Sequence, residues 1–93
     1  MPAVERDLAF LMPKDLPSTD IENEIRKAAG ELLKDIRVFD VFEGGALPAG
    51  QRSVAYRLLF QAQNATLEDQ KINELRDRIV GAIAQKFSVN LRA

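Results

Sequence analysis

Ile36-Arg37-Val38-Phe39-Asp40-Val41-Phe42-Glu43 leads into Gly44-Gly45-Ala46-Leu47-Pro48-Ala49-Gly50, and the chain continues through Ser53-Val54-Ala55-Tyr56-Arg57-Leu58-Leu59-Phe60-Gln61. The outer stretches are rich in Val, Ile, Phe and Tyr, residue types that suit a pleated, half-buried surface. The middle seven residues hold three glycines and a proline, a composition that interrupts a strand. The pattern predicts two strands, Ile36 to Glu43 and Ser53 to Gln61, joined as a hairpin with a long connection.

Working outward toward the N-terminus, Thr19 followed by Glu22 has the spacing of a capping box, in which each side chain satisfies a free backbone N–H of a first helical turn. Ile21, Ile25, Ala28, Ala29, Leu32 and Leu33 then recur at helical spacing, with charged residues largely between them. This predicts an amphipathic helix of about four turns. Gly30 falls inside it and would cost about 1 kcal/mol against alanine, so close packing on the sheet is the expected reason for it. Before this helix, Arg6 to Met12 is short and mostly apolar, and Pro13 and Pro17 bracket the turn that ends it.

On the other side of the hairpin, Thr66 is the expected N-cap of a second helix, with Glu68 and Asp69 complementing the helix dipole. Ile72, Leu75, Ile79, Ala82, Ile83 and Phe87 form its apolar stripe, and Ser88 to Arg92 alternates as a short last strand. Strand, helix, strand, strand, helix, strand is the split βαβ order. Right-handed crossovers then place both helices on one face of a four-stranded antiparallel sheet. The expected class is α+β, ferredoxin-like βαββαβ, as a single domain over residues 1–93.

Alternation along strands assigns faces. Leu8, Phe10 and Met12, then Phe39 and Val41, then Val54, Tyr56, Leu58 and Phe60 are expected toward the helices. The open face is expected to carry Ala9, Asp40, Phe42, Ser53, Ala55 and Arg57, with Val38 on the same side. Small residues leave room for a planar ligand, Phe42 offers a stacking surface, Asp40 and Ser53 offer hydrogen bonds, and Arg57 offers charge. Sheets that bind single-stranded RNA stack bases on aromatics and read their edges with polar groups. The same mixture also describes an ordinary solvated sheet face, with Asp40 capping the hairpin or pairing with Arg57.

Composition narrows the chemistry. The chain of 93 residues is 46% hydrophobic and 29% charged, ordinary for a globular domain. A chain of this size buries roughly 60–65% of the surface its unfolded form exposes, enough for modest stability. No apolar run approaches the roughly 18 residues of a membrane span, and no charged-then-apolar leader opens the sequence, so no membrane contact and a cytoplasmic location are expected. Cysteine and histidine are absent. That excludes a disulfide framework, thiolate or imidazole metal ligation, and the usual nucleophile–base pairs. Thirteen Lys and Arg against fourteen Asp and Glu leave a net charge of −1, without the basic excess of a nonspecific nucleic-acid binder. The glycine-rich loop lacks the Lys-Ser or Lys-Thr of a phosphate-cradling loop and reads as a turn.

Three stretches carry a resemblance to a known family. Pro2-Ala3-Val4-Glu5-Arg6-Asp7-Leu8-Ala9, Val38-Phe39-Asp40-Val41-Phe42-Glu43-Gly44 and Gly50-Gln51-Arg52-Ser53-Val54-Ala55-Tyr56-Arg57 resemble, in that order, segments of the anticodon-binding domain at the carboxyl end of the phenylalanyl-tRNA synthetase β chain. Thr66-Leu67-Glu68-Asp69 and Phe87-Ser88-Val89-Asn90-Leu91-Arg92 resemble later ones, so the likeness spans essentially the whole chain. It implies a ferredoxin-like fold whose open sheet contacts the anticodon of phenylalanine tRNA. Asp40, Phe42 and Ser53 would meet the first anticodon base, flanked by Ala9, Ala55 and Arg57. The family commonly has Tyr at Phe42, so stacking is kept there and a phenolic hydrogen bond is not. The resemblance further implies no catalytic residue, metal or cofactor in this domain. The parent phenylalanine–tRNA ligase would use ATP and magnesium at a site elsewhere, and the partners would be the rest of the β chain and the α subunit of a heterotetramer. The alternative is a protein-interaction or assembly module of the same fold without RNA contact.

Overall fold

The computed structural model describes residues 3–63 and 66–92; Pro2, which opens the first resembling stretch, lies outside them. The elements run β1 (Val4–Pro13), α1 (Ser18–Ala29), a 3₁₀ turn (Gly30–Leu32), β2 (Leu33–Glu43), β3 (Gln51–Phe60), α2 (Asp69–Phe87) and β4 (Asn90–Leu91). Every strand pair is antiparallel and the sheet order is β2-β3-β1-β4. This is the ferredoxin-like α+β fold the element order predicts. No described helix is long and apolar enough to cross a membrane.

One core unites one side of the sheet with both helices. Leu8, Phe10 and Met12 of β1 and Val54, Tyr56, Leu58 and Phe60 of β3 pack with Ile21, Ile25 and Ala29 of α1 and Ile72, Leu75, Ile79 and Ile83 of α2. Strict period-2 alternation in the two central strands explains why these positions are apolar. Tyr56 puts its polar end to use: its hydroxyl donates to the Ser18 carbonyl at 2.9 Å, fixing the start of α1 against β3. Burial pushes that hydroxyl far above its ordinary titration range. Lys86 Nζ meets Glu24 Oε1 at 3.0 Å and ties the helices together.

Helix boundaries depart from the expectations for local reasons. α1 begins at Ser18 behind Pro17, whose extended backbone (φ −62°, ψ 138°) already supplies the capping conformation, and no side chain caps it. Thr19 therefore sits inside the first turn, and Glu22 pairs with Arg26 one turn on, at 3.4 Å. Gly30 does not pack closely on anything: a Cβ there would meet no atom within 4 Å. Its backbone (φ 73°, ψ −151°) ends the helix and returns a hydrogen bond to the Arg26 carbonyl, a conformation open mainly to glycine. The helix thus stops at Ala29, and Leu33 is the first residue of β2. α2 begins behind Glu68, not Thr66, again without a side-chain cap. β4 is shorter than expected because Ser88, in the left-handed region (φ 56°), closes α2 first.

The main correction lies in β2. Val38 pairs with Tyr56 but Asp40 pairs with Ala55, so Phe39 is an extra residue in a β-bulge. The bulge shifts the alternation. Val38 turns toward the core, where it is partly buried. Phe39 leaves it and stands 43% exposed. Val41 sits opposite buried Val54 yet is 49% exposed, on the edge strand.

Candidate nucleic-acid interface

Cross-strand partners in an antiparallel sheet point to the same side, so the register arranges the open face in rows. The first row is Phe42, Ser53, Leu11 and Asn90. The second is Asp40, Ala55 and Ala9, beside Arg92, whose backbone N–H donates to the Ala9 carbonyl at 2.8 Å. The third is Arg37, Arg57 and Asp7, with bulged Phe39 alongside. All six residues expected on this face, Ala9, Asp40, Phe42, Ser53, Ala55 and Arg57, therefore lie on it in three adjacent rows.

Their surroundings differ. Phe42 is 39% exposed, and the Arg92 guanidinium carbon lies 5.3 Å from its ring centroid. The ring leans on the hairpin loop at Gly45, where a Cβ would come within 3.3 Å of it and the backbone has φ 58°; both facts favour glycine there. Leu47 N–H to Gly44 carbonyl and Gln51 N–H to Pro48 carbonyl bonds fold this loop into two turns. Asp40 is exposed and its carboxylate has no partner among the described residues. Ser53 lies between Phe42 and Leu11 and is only 4% exposed.

Arg57 does not pair with Asp40. It donates to both carboxylate oxygens of Asp7, at 3.0 and 3.1 Å, and its guanidinium carbon lies 4.3 Å from the Phe39 ring centroid. The Arg57 hydrogen bonds hold the Asp7 carboxyl below its ordinary range, against the opposing effect of desolvation. Arg57 is raised in turn by the same bonds. A depressed carboxylate contributes stability at pH values above its unfolded pKa and loses that contribution as pH falls through the folded one. In a carboxyl NMR titration, Asp7 is expected to titrate below 3.8 and to return toward it in Arg57→Ala. Because both groups are largely exposed, the pair adds little to stability.

Leu11, Asn90, Arg37 and Asp7 share this face without having been among its candidates, and so do two residues that shape its stacking surfaces, Phe39 and Arg92. Arg92 was within reach, since alternation from Asn90 already puts it on this side. Phe39 was not, because a bulge leaves no mark in the hydrophobic pattern.

A four-stranded antiparallel sheet with both helices behind it and a mixed aromatic, small and charged face in front is an open-faced domain of ferredoxin-like fold. Residues 1–92 match the family model described as ferredoxin-fold anticodon binding domain. The chain is 44% identical over 92 residues to the phenylalanine–tRNA ligase beta subunit of Synechococcus sp. (strain JA-2-3B'a(2-13)), covering 99% of this chain and 11% of that protein. The beta subunits of Moorella thermoacetica and Bdellovibrio bacteriovorus are 43% and 44% identical, each over 98% of this chain and 11% of theirs. The chain therefore belongs to the ferredoxin-fold anticodon-binding domain family, and it spans about 11% of the length of these relatives.

Proposed function

We propose that the open sheet face recognises the anticodon of phenylalanine tRNA, as one domain of a phenylalanine–tRNA ligase β subunit. The observation that carries this reading is the Phe42–Asp40 pairing of features: a half-exposed ring next to a carboxylate with no partner among the described residues, on a floor of Ala9 and Ala55. A ring in that setting stacks on a base. A carboxylate accepts only, and it satisfies both oxygens on a base edge with two adjacent N–H donors, which among the four bases is the Watson–Crick edge of guanine. Ser53 lies in the neighbouring row, and its hydroxyl can donate or accept. Arg57, committed to Asp7, contributes a fixed surface more than a free charge.

The domain supplies recognition only. Amino-acid activation, with ATP and magnesium, belongs to the ligase's catalytic site on another chain, and this domain holds no cofactor. The other partners are the rest of the β chain and the α subunit. With a net charge of −1, the isolated domain binds weakly, because phosphate contacts dominate affinity. A protein-interaction reading has one observation in its favour: Phe39, Val41 and Phe42, all on edge strand β2, are exposed apolar residues. Titration of the labelled 93-residue chain with anticodon stem-loop RNA separates the two. Backbone amide shifts concentrated at Ala9, Asp40, Phe42, Ser53 and Ala55 are expected. No shifts at millimolar RNA, or shifts confined to α1 and α2, would replace the RNA reading with the interaction module.

A further inference from the structure

We propose that Phe39, with Arg57 stacked on it, is a second base-stacking position, which takes the base of a nucleotide near the one held at Phe42. The inference rests on the RNA reading above and adds a residue to it. Three observations carry it. The bulge between Val38 and Asp40 turns a large aromatic residue out of the core and onto the open face, where it is 43% exposed. The Arg57 guanidinium lies 4.3 Å from that ring. Two hydrogen bonds to Asp7 hold the guanidinium in place. Aromatic rings and guanidinium planes are the two surfaces on which unpaired RNA bases stack, and a surface already fixed by its neighbours loses little freedom when a base arrives.

The spacing fits an unstacked strand. Phe39 and Phe42 are three positions apart on β2, about 10 Å along the strand. That is about three times the 3.4 Å separation of stacked neighbours, so bases on both rings are splayed from one another, as loop nucleotides can be. The row between the two platforms holds Asp40, Ala55 and Ala9, and the two alanines leave a low floor for the connecting backbone. Charge at this end is balanced. Arg57 is matched by Asp7 and Arg37 by Asp35 at 3.1 Å. The Phe39 position therefore reads a π face and does not grip phosphate.

The test measures dissociation constants of an anticodon stem-loop RNA for the whole ligase carrying this domain, at two salt concentrations. Phe39→Ala is expected to weaken binding about tenfold, with the same salt slope as the unmodified protein, because no phosphate contact is lost. Phe39→Tyr is expected to bind normally. In RNA carrying 2-aminopurine at successive loop positions, quenching at one position other than the base at Phe42 is expected to depend on Phe39. Phe39→Leu keeps apolar bulk without a π face and guards against loss of folding; normal binding by Phe39→Leu would overturn the proposal. So would normal binding by Phe39→Ala while Phe42→Ala binds weakly, an outcome that leaves the anticodon reading standing. Normal binding by both alanine variants would sink that reading as well.

Discussion

Phe42→Ala, made in a phenylalanine–tRNA ligase that carries this domain, is expected to raise KM for tRNA roughly ten- to a hundredfold. Base–aromatic stacking is worth about 1–3 kcal/mol per base, and each 1.4 kcal/mol is tenfold. The ring can make that contact because β2 lies at the sheet edge and the ring is 39% exposed, bounded on the loop side by Gly45 and approached by Arg92. Amino-acid activation, measured by ATP–pyrophosphate exchange, is expected to be unchanged under the proposed reading, in which this domain supplies recognition only. Phe42→Tyr is expected to be neutral or mildly better. An unchanged KM in Phe42→Ala, with the domain still folded, would place the RNA site elsewhere.

The largest effect on folding is expected from Phe10→Ala. Phe10 lies in β1, between β3 and β4 in the sheet, is fully buried, and meets Tyr56 edge-on with ring centroids 6.1 Å apart at 66°. Truncating a buried phenylalanine costs about 3–5 kcal/mol, through lost transfer energy and the cavity left behind. Whole-domain stability is only about 5–15 kcal/mol, so the midpoint in urea should fall steeply or the chain should fail to fold. Phe39→Ala is the informative contrast. Alternation places Phe39 in the core, where its loss would match that of Phe10. Standing 43% exposed at a bulge, it is expected to cost about 1 kcal/mol or less, mainly from the lost Arg57 contact. Equal losses in the two variants would mean that the bulge register is wrong.

Much of this molecule is determined by sequence alone, because its central strands and helices obey simple periods. Alternation in β1 and β3 is uninterrupted, so every residue from Leu8 to Met12 and from Val54 to Phe60 falls on the side its parity predicts. The stripes Ile21-Ile25-Ala29 and Ile72-Leu75-Ile79-Ile83 are likewise read from spacing, and with the two turns they specify the ferredoxin-like order. Composition alone removes thiolate, imidazole and disulfide chemistry. The six open-face candidates share one face because four of them sit on strands β1 and β3, where parity holds, and Asp40 and Phe42 lie beyond the bulge.

What only the tertiary structure decided is where local patterns meet non-local partners. A bulge is set by pairing between β2 and β3, and Phe39 looks like a core residue until Asp40 is seen opposite Ala55. Asp7 and Arg57 are 50 positions apart, and no spacing rule joins them; the β1–β3 register does, and it commits Arg57 to Asp7 and not to Asp40. Gly30 reads as a weak point inside a helix, yet the backbone must turn there for β2 to reach β3, so it ends the helix instead. Arg92 comes over Phe42 only because β4 closes the far edge of the sheet, where a side chain from one edge can reach across two small residues toward the other.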